Sequence, residues 1–474
     1  MRYRIILFVI LLCTCKSYSQ EKWSLIQCVD FAMKNNVSVK LADVQARLSA
    51  ITAKQSEMTR IPNLSGNLNS AYQHGLTTNP TTNILESASY ISGSMNVQAS
   101  YNIFNWSARK NTIAANNLYK KADEVGIDKA RNDISLAVAN AFLQVMLRRE
   151  QARISEVQMG QSQAQLENTR KLVNAGSVPE LNVIQLEAQH AKDSSALLQA
   201  NALIKQALIN LKAYMNYDFA LPFDIAAPPL DAIPLENISD LQPNAVFNLA
   251  LTTQPLQKAY KLRIAAAQKQ IVAARGYMYP TLSAFGGMTT SAININKPVV
   301  ELLADRPTSS YVDVNGSKFP VYAPSYGITG YNGIPVFSQL NNNFGQNIGL
   351  SLNFSIFNAY TARTQWERTK ANIAQLQLQN EQENVNLKAN IYNAYQDAFS
   401  SLQKYNASRR TVEYSQKAFD IAKKRYNIGL LGTLDFIITQ NNLYLAQIDE
   451  VSSHYDFVFK MKVLEFYKGQ GIKL

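Results

Sequence analysis

From residue 350 to residue 428 the chain contains neither glycine nor proline, and no other feature limits its fold so strongly. Residues 360 to 427 within this run read as a single 68-residue helix, roughly 100 Å long at 1.5 Å per residue. No compact domain of this size accommodates such a rod, so it must pack along other helices for most of its length. Ile391, Tyr395, Ala398, Leu402, Tyr405, Val412 and Phe419 keep 4-3 spacing, with Arg409 and Gln416 at the intervening seam positions. This is coiled-coil register with polar interruptions. After Gly429 a second gap-free run, Thr433 to Lys468, supplies an antiparallel return helix.

The same plan occurs earlier in the chain. Phe31-Ala32 through Lys40, followed by Pro62-Asn63-Leu64-Ser65-Gly66, recurs 218 residues later as Leu249-Ala250 through Lys258 and Pro280-Thr281-Leu282-Ser283-Ala284. Tyr101-Asn102-Ile103-Phe104-Asn105 returns 253 residues on as Phe354-Ser355-Ile356-Phe357-Asn358. At that same offset Asn174-Ala175-Gly176 and Leu181-Asn182-Val183-Ile184 become Asn427-Ile428-Gly429 and Leu434-Asp435-Phe436-Ile437. The chain is therefore two copies of one unit, residues 20–216 and 244–474, joined by a Pro-rich bridge at 217–243. The difference between the offsets places 35 extra residues in the second copy, between Ser283 and Phe354.

Each copy opens with a helix; the first, residues 24 to 60, lacks Gly and Pro and ends before Pro62. Met95, Val97, Ala99, Tyr101 and Ile103 then alternate with Asn96, Gln98, Ser100 and Asn102, and Ile348, Leu350, Leu352, Phe354 and Ile356 repeat the pattern against Asn347, Gly349, Ser351, Asn353 and Ser355. Period two with a polar opposite face is a strand between an apolar and a wet environment, as in a membrane barrel, or else one side of an ordinary sheet. Partner strands at 64–73 and 282–290 complete hairpins 64–104 and 282–356, the second with a long loop, 290–345, rich in Asn, Gly, Pro and Tyr, on the side away from the helices. Gly176 and Gly429 stand where helices need a left-handed residue to stop. Ser177-Val178-Pro179-Glu180 has the residues of a capping box, Thr433 is positioned to cap the other return helix, and Asp435 falls in its first turn.

Residues 1–19 read as a secretory signal peptide: Arg2 and Arg4, an apolar run Ile5 to Leu12, and a small-residue site Ser17-Tyr18-Ser19. Lipid attachment at Cys13 or Cys15 is the alternative; after cleavage Cys28 is the only cysteine, so no internal disulfide can form. With 47% hydrophobic and 17% charged residues the chain is not a disordered one, and the absence of an 18-residue apolar run argues against spanning helices. The formal charge of +12 includes Arg2, Arg4 and Lys16 of the leader and is otherwise unclustered, which argues against nucleic-acid binding. His74, His190 and His454 are far apart, and no metal, nucleotide or nucleophile motif occurs, so neither an enzyme nor a cofactor is expected. Trp106 and Tyr360 follow the second and fourth strands, where an aromatic girdle at a membrane interface and ordinary helix packing are both open.

Four strands are too few for a barrel, so the sheet must close with other chains; three copies would supply twelve strands. At this point the sequence resembles the TolC-like outer-membrane efflux proteins, through Trp23, Ser24, Leu25, Cys28, Val29 and Ala32 at the mature start and through the tips Asn174-Ala175-Gly176-Ser177 and Tyr426-Asn427-Ile428-Gly429-Leu430. The resemblance runs from about Trp23 to Tyr467. It implies an α+β membrane fold: a homotrimer with a 12-stranded β-barrel in outer-membrane lipid, continued by an α-helical coiled-coil tunnel through the periplasm, with the 217–243 bridge in an equatorial band. It also implies a passive export channel working with a periplasmic adaptor (membrane fusion protein) and an inner-membrane pump. Ala175, Gly176, Ser177, Ile428, Gly429 and Leu430 would touch the adaptor, and Asp435, Tyr426 and Asn182 would form the aperture gate. Leu431 and Ile438 stand where relatives often carry a basic latch residue and a second acid, and Asn182 where they carry an acidic latch partner, which implies a looser or differently held gate in place of a salt-bridged latch. A barrel-anchored trimeric adhesive or structural protein is the competing class.

Overall fold

The computed structural model describes residues 22–78, 83, 85–226, 229–230, 233–294 and 296–469. The leader and any lipid-bearing cysteine lie outside them. In chain order the elements of the first repeat are α1 (Leu25–Asn35), α2 (Val37–Met58), β1 (Asn63–Thr78), β2 (Leu85–Phe104), α3 (Ala108–Asn174) and α4 (Leu181–Met215). Those of the second are α5 (Pro243–Thr253), α6 (Pro255–Gly276), β3 (Thr281–Ile293), β4 (Asn296–Leu302), β5 (Arg306–Val314), β6 (Ser317–Ala323), β7 (Tyr326–Gly333), α7 (Val336–Asn342), β8 (Gly345–Asn353), α8 (Thr361–Asn427) and α9 (Thr433–Lys468). Contacts divide the chain into two compact units, one made of Lys54–Ile113 and Lys269–Lys370, the other of the flanking segments.

The single helix expected over 24–60 is two. Ser24 and Gln27 cap α1 reciprocally, and Asn36 then leaves the helical region at φ −62°, ψ 136°. Its amide explains the break: Nδ2 donates to Tyr214 O at 2.7 Å while Oδ1 accepts from Ser38 N–H at 2.8 Å. The second repeat breaks at the equivalent Gln254, which Pro255 follows, and the Gln254 amide donates to Phe466 O and Tyr467 O. One device, a side-chain amide satisfying the end of the return helix, thus serves both copies.

In the strand-bearing unit β1, β2, β3 and β8 form one antiparallel sheet in that order. Its register pairs Leu68 with Met95, Val97 with Met288 and Ala284 with Leu350, while Asn67 faces Asn96, Ser94 faces Ser291 and Ser283 faces Ser351. Directly opposed residues share a face, so one face is apolar and the other mostly polar. Departures include Ile293, opposite Ser92 on the polar face, Thr290 and Gln346, opposite Met95 and Met288 on the apolar one, and Phe285, which covers Gly349, where a Cβ would meet the ring at 2.6 Å. The apolar face is bare: Leu68, Ile348 and Leu350 are 82%, 92% and 68% exposed. Among the described residues β1 and β8 each keep an unpaired edge.

Two sequence expectations change here. The fourth strand ends at Asn353, short of Ile356, because its partner β3 begins only at Thr281, after Pro280. The 290–345 segment is structured rather than a bare loop: β4 pairs with β7, β5 with β6, and α7 follows. Past Thr289 the strand β3 loses β8 as a neighbour, and α7 takes its place. Gln339, 7% exposed, donates to Ile293 O and accepts from Ile293 N–H, while Thr290 Oγ1 donates to Leu340 O. A side-chain amide therefore substitutes for a strand along an otherwise open edge.

The helical unit has its main core around Phe142, Val145, Leu211, Met215, Val458 and Cys28, with a second around Ile391, Ala398, Met461 and Leu464. Burial pushes the Cys28 thiol up to about 12, which leaves it an inert packing group. The bridge is sewn to these helices. Trp23 pairs with Ile225, its ring meets Phe31, Tyr217 and Phe223 at 5.3–5.6 Å, and Lys462 donates to Pro234 O while paired with Glu465 at 2.9 Å.

Candidate functional site: two glycine tips and the polar contacts behind them

Both helical hairpins of the helical unit turn by the same motif. Gly176 adopts φ +71° and Gly429 φ +75°. At the first tip Gly176 N–H donates to Val173 O and Ser177 N–H to Leu172 O; at the second Gly429 N–H donates to Tyr426 O and Leu430 N–H to Arg425 O. These are paired Schellman closures, which satisfy the last carbonyls of each rising helix. A Cβ on either glycine would meet nothing within 4 Å, so conformation alone requires glycine there. Ala175 and Ser177 flank the first and Ile428 and Leu430 the second, all exposed, so the second tip is the more apolar.

The return helices start differently from expectation. Glu180 is the first cap of α4, already helical and without a side-chain bond, so the capping box read at Ser177–Glu180 does not form. Ser177 is occupied as the tail of the Schellman closure, and the two motifs compete for the same residues. At α9 the cap is Gly432, and Thr433 is the first helical residue, buried. Its hydroxyl instead lies 3.2 Å from Tyr426 Oη, which also lies 3.3 Å from Thr169 Oγ1. The Tyr426 ring stacks on Phe436 at 4.6 Å, beside Phe419 and Leu443. Tyr426 thereby joins α8 to α3 and to α9. The contact with Thr169 was not legible in the sequence, because 257 residues separate the two groups.

Asp435 is exposed in the first turn of α9, and Asn182 is half-buried in the first turn of α4. Among the described residues no hydrogen bond or ion pair joins either of them to Tyr426. Their neighbours Val183 and Ile437 do meet, around Leu166 and Leu186, so α3, α4 and α9 converge just behind the turns. The residues that sequence reasoning missed are polar and buried: Gln158, Gln189 and Asp193 meet Gln440 and Asn441 further along the same helices.

In the strand-bearing unit, Trp106 and Tyr360 both have positive φ, at 52° and 59°. Trp106 Nε1 donates to Pro280 O at 2.8 Å and its ring lies 5.0 Å from Tyr279; Tyr360 sits edge-on to Phe357 with the Arg363 guanidinium over its face. The histidines stay apart: His74 bonds Ser89, His190 lies 3.4 Å from Ser162 Oγ, and His454 stacks on Tyr405.

A four-stranded sheet with one bare apolar face, and long helices folded into glycine-tipped hairpins, is a fold also found in solved outer-membrane channels. The crystal structure of CusC matches with a TM-score of 0.75 over 96% of each chain at 17% identity. The Campylobacter jejuni CmeC outer membrane channel matches at 0.70 over 97% of this chain and 91% of that one, at 16% identity. Residues 29–217 and 246–458 match the family described as outer membrane efflux protein, and the chain belongs to that family. The pyoverdine export outer membrane protein OpmQ of Pseudomonas aeruginosa is 24% identical over 363 residues, which cover 75% of this chain and 65%, under two thirds, of OpmQ.

Proposed function

We propose that three copies of this chain form the outer-membrane duct of a tripartite export system. The observation that carries the reading is the sheet: its register sets mainly apolar residues on one face and polar ones on the other, the apolar face is bare, and among the described residues both edges are open. Exposed patches of this size mark a binding surface or a lipid contact, and an open edge in lipid is excluded. Closure with further copies answers both demands; three copies give twelve strands, with the polar face lining a lumen. The helical hairpins then form the periplasmic tunnel, the 217–243 bridge its equatorial band, and Trp106 and Tyr360 the aromatic girdle at the inner interface. The duct is passive, supplied by an inner-membrane pump through a periplasmic adaptor that grips Ala175, Gly176, Ser177, Ile428, Gly429 and Leu430.

Asp435, exposed at the start of α9, supplies three carboxylates around the axis at the aperture, where a ring of like charge attracts cations. Tyr426 holds the neighbouring helix and Asn182 faces the same end. The test is electrical. Purified protein in planar bilayers should conduct with cation preference, and Asp435→Asn should weaken both that preference and block by multivalent cations while the trimer persists. An unchanged selectivity removes Asp435 from the gate. A protein that extracts only as monomer, or that does not conduct, removes the duct itself and leaves the adhesive reading.

A further inference from the structure

Behind the tips a closed circuit of side-chain amides crosses three helices. Gln158 of α3 donates to Asp193 Oδ2 of α4 at 3.4 Å, and Gln189, one turn earlier on α4, donates to Asp193 Oδ1 at 2.8 Å. Gln189 also exchanges two bonds with Asn441 of α9, at 3.0 and 3.1 Å. Gln440 of α9 closes the circuit by donating to Gln158 Oε1 at 3.5 Å. Gln158, Gln189, Asp193 and Gln440 are all under a tenth exposed, at 5%, 7%, 4% and 2%. Asp193 is its one acidic member. Ser162 lies beside it with a hydroxyl that also donates to Met159 O at 3.0 Å, no cation lies within ion-pair distance among the described residues, and the charge acting on it is that of Lys192, next in sequence. His190 reaches the same Ser162 from the α4 side. From α3 and α9 the groups that meet it in the circuit are neutral amides and hydroxyls.

This circuit is one donor short. The carboxylate is held by two long or shared amide bonds and a shared hydroxyl, and Gln440 Oε1, also buried, has no partner among the described residues. We infer that the circuit is a proton-sensitive joint: with Asp193 protonated it clamps α9 to α3 and α4, and with Asp193 ionised it loosens. A proton on Asp193 turns one oxygen into a donor toward Gln158. The Gln158 amide, reversed, then presents its own N–H groups to α9, and Gln440, which otherwise donates at 3.5 Å to both Gln158 Oε1 and Gln161 Oε1, reverses its amide as well so that its Oε1 accepts from Gln158. Burial pushes the Asp193 carboxyl above the usual aspartate range, against the hydrogen bonds that favour the charged form. The sign follows from that direction. A raised folded-state pKa gives a contribution fully present below the ordinary aspartate pKa and lost as pH rises through the raised one. Asp193 lies twelve residues past the start of α4, about 18 Å along the helix, so the joint acts on the helices that carry the tips. The second repeat has Ala446 at the position equivalent to Asp193, which confines the device to the first hairpin and its contact with α9.

The experiment is hydrogen exchange on the full-length assembled protein across about pH 4 to 8, corrected for intrinsic exchange rates, with Asp193→Asn beside it. In the wild type, protection of residues 181–193 and 433–446 should fall as pH rises, about tenfold for each unit by which the Asp193 pKa is raised. Asp193→Asn, which keeps the shape without the charge, should be as protected at high pH as the wild type at low pH. A wild type with no pH dependence in these segments, or a variant with the same dependence, overturns the joint. If the variant fails to assemble, infrared titration of the wild type decides: a carbonyl band of a buried protonated carboxylic acid must persist above the ordinary aspartate range, and its absence there overturns the proposal. Neither readout requires conduction, so the joint and the duct stand or fall separately.

Discussion

Tyr426 does three things with one side chain. Its ring covers Phe436, and its hydroxyl lies at bonding distance from both Thr169 and Thr433. Both contacts are long, so their removal costs about 0.5–1.5 kcal/mol, the net worth of an ordinary hydrogen bond. Tyr426→Phe should therefore assemble normally and keep its stacking, yet free α8 from α3 near the second tip. Planar-bilayer recording should show a larger or more often open periplasmic end. Conductance and open probability equal to wild type would reduce Tyr426 to a packing residue. Gly176 and Gly429 were legible as helix stops because a left-handed residue at a helix end is a local demand. The capping box at Ser177–Glu180 was misread because the preceding Schellman closure uses the same backbone, a conflict between two local motifs that sequence pattern alone does not resolve.

At the level of elements the sheet is the part most completely written in the sequence. Alternation at β2 and β8 assigns faces, and antiparallel pairing carries them across all four strands. Leu350→Arg, on the apolar face, should cost ~2–4 kcal/mol per chain if it lies near the middle of the bilayer, whereas Ser351→Arg on the polar face should fold and change single-channel conductance. Heat-dissociation of trimers on gels compares the two variants directly, and equal stability would mean that the apolar face does not meet lipid. The helix breaks at Asn36 and Gln254 were not legible, since each is set by carbonyls of a helix end some two hundred residues away. The same holds for α7, whose place beside β3 depends on Gln339 reaching Ile293.

For the whole molecule, the insertion between β3 and β8 breaks the symmetry of the two repeats. Its ladders β4–β7 and β5–β6 leave Tyr311, Phe319, Tyr326 and Tyr331 exposed, and the proposed topology puts them outside the cell. Protease added to intact cells should cut between residues 294 and 335 and spare the glycine tips. Cleavage confined to the 174–183 turn would invert the topology. By itself the sequence determined the repeats, the lengths of the long hairpin helices, the facing of the strands and the positions of the two tips. Each of these follows from periodicity or from the backbone preference of a residue within a few positions. Only the tertiary structure decided which polar groups bind the repeats to each other and to the bridge: Tyr426 with Thr169, the Gln158–Asp193–Gln189–Asn441 circuit, and Lys462 with the bridge. A buried side chain is satisfied by whatever the fold brings within about 3 Å, and that partner's place in the chain leaves no local mark.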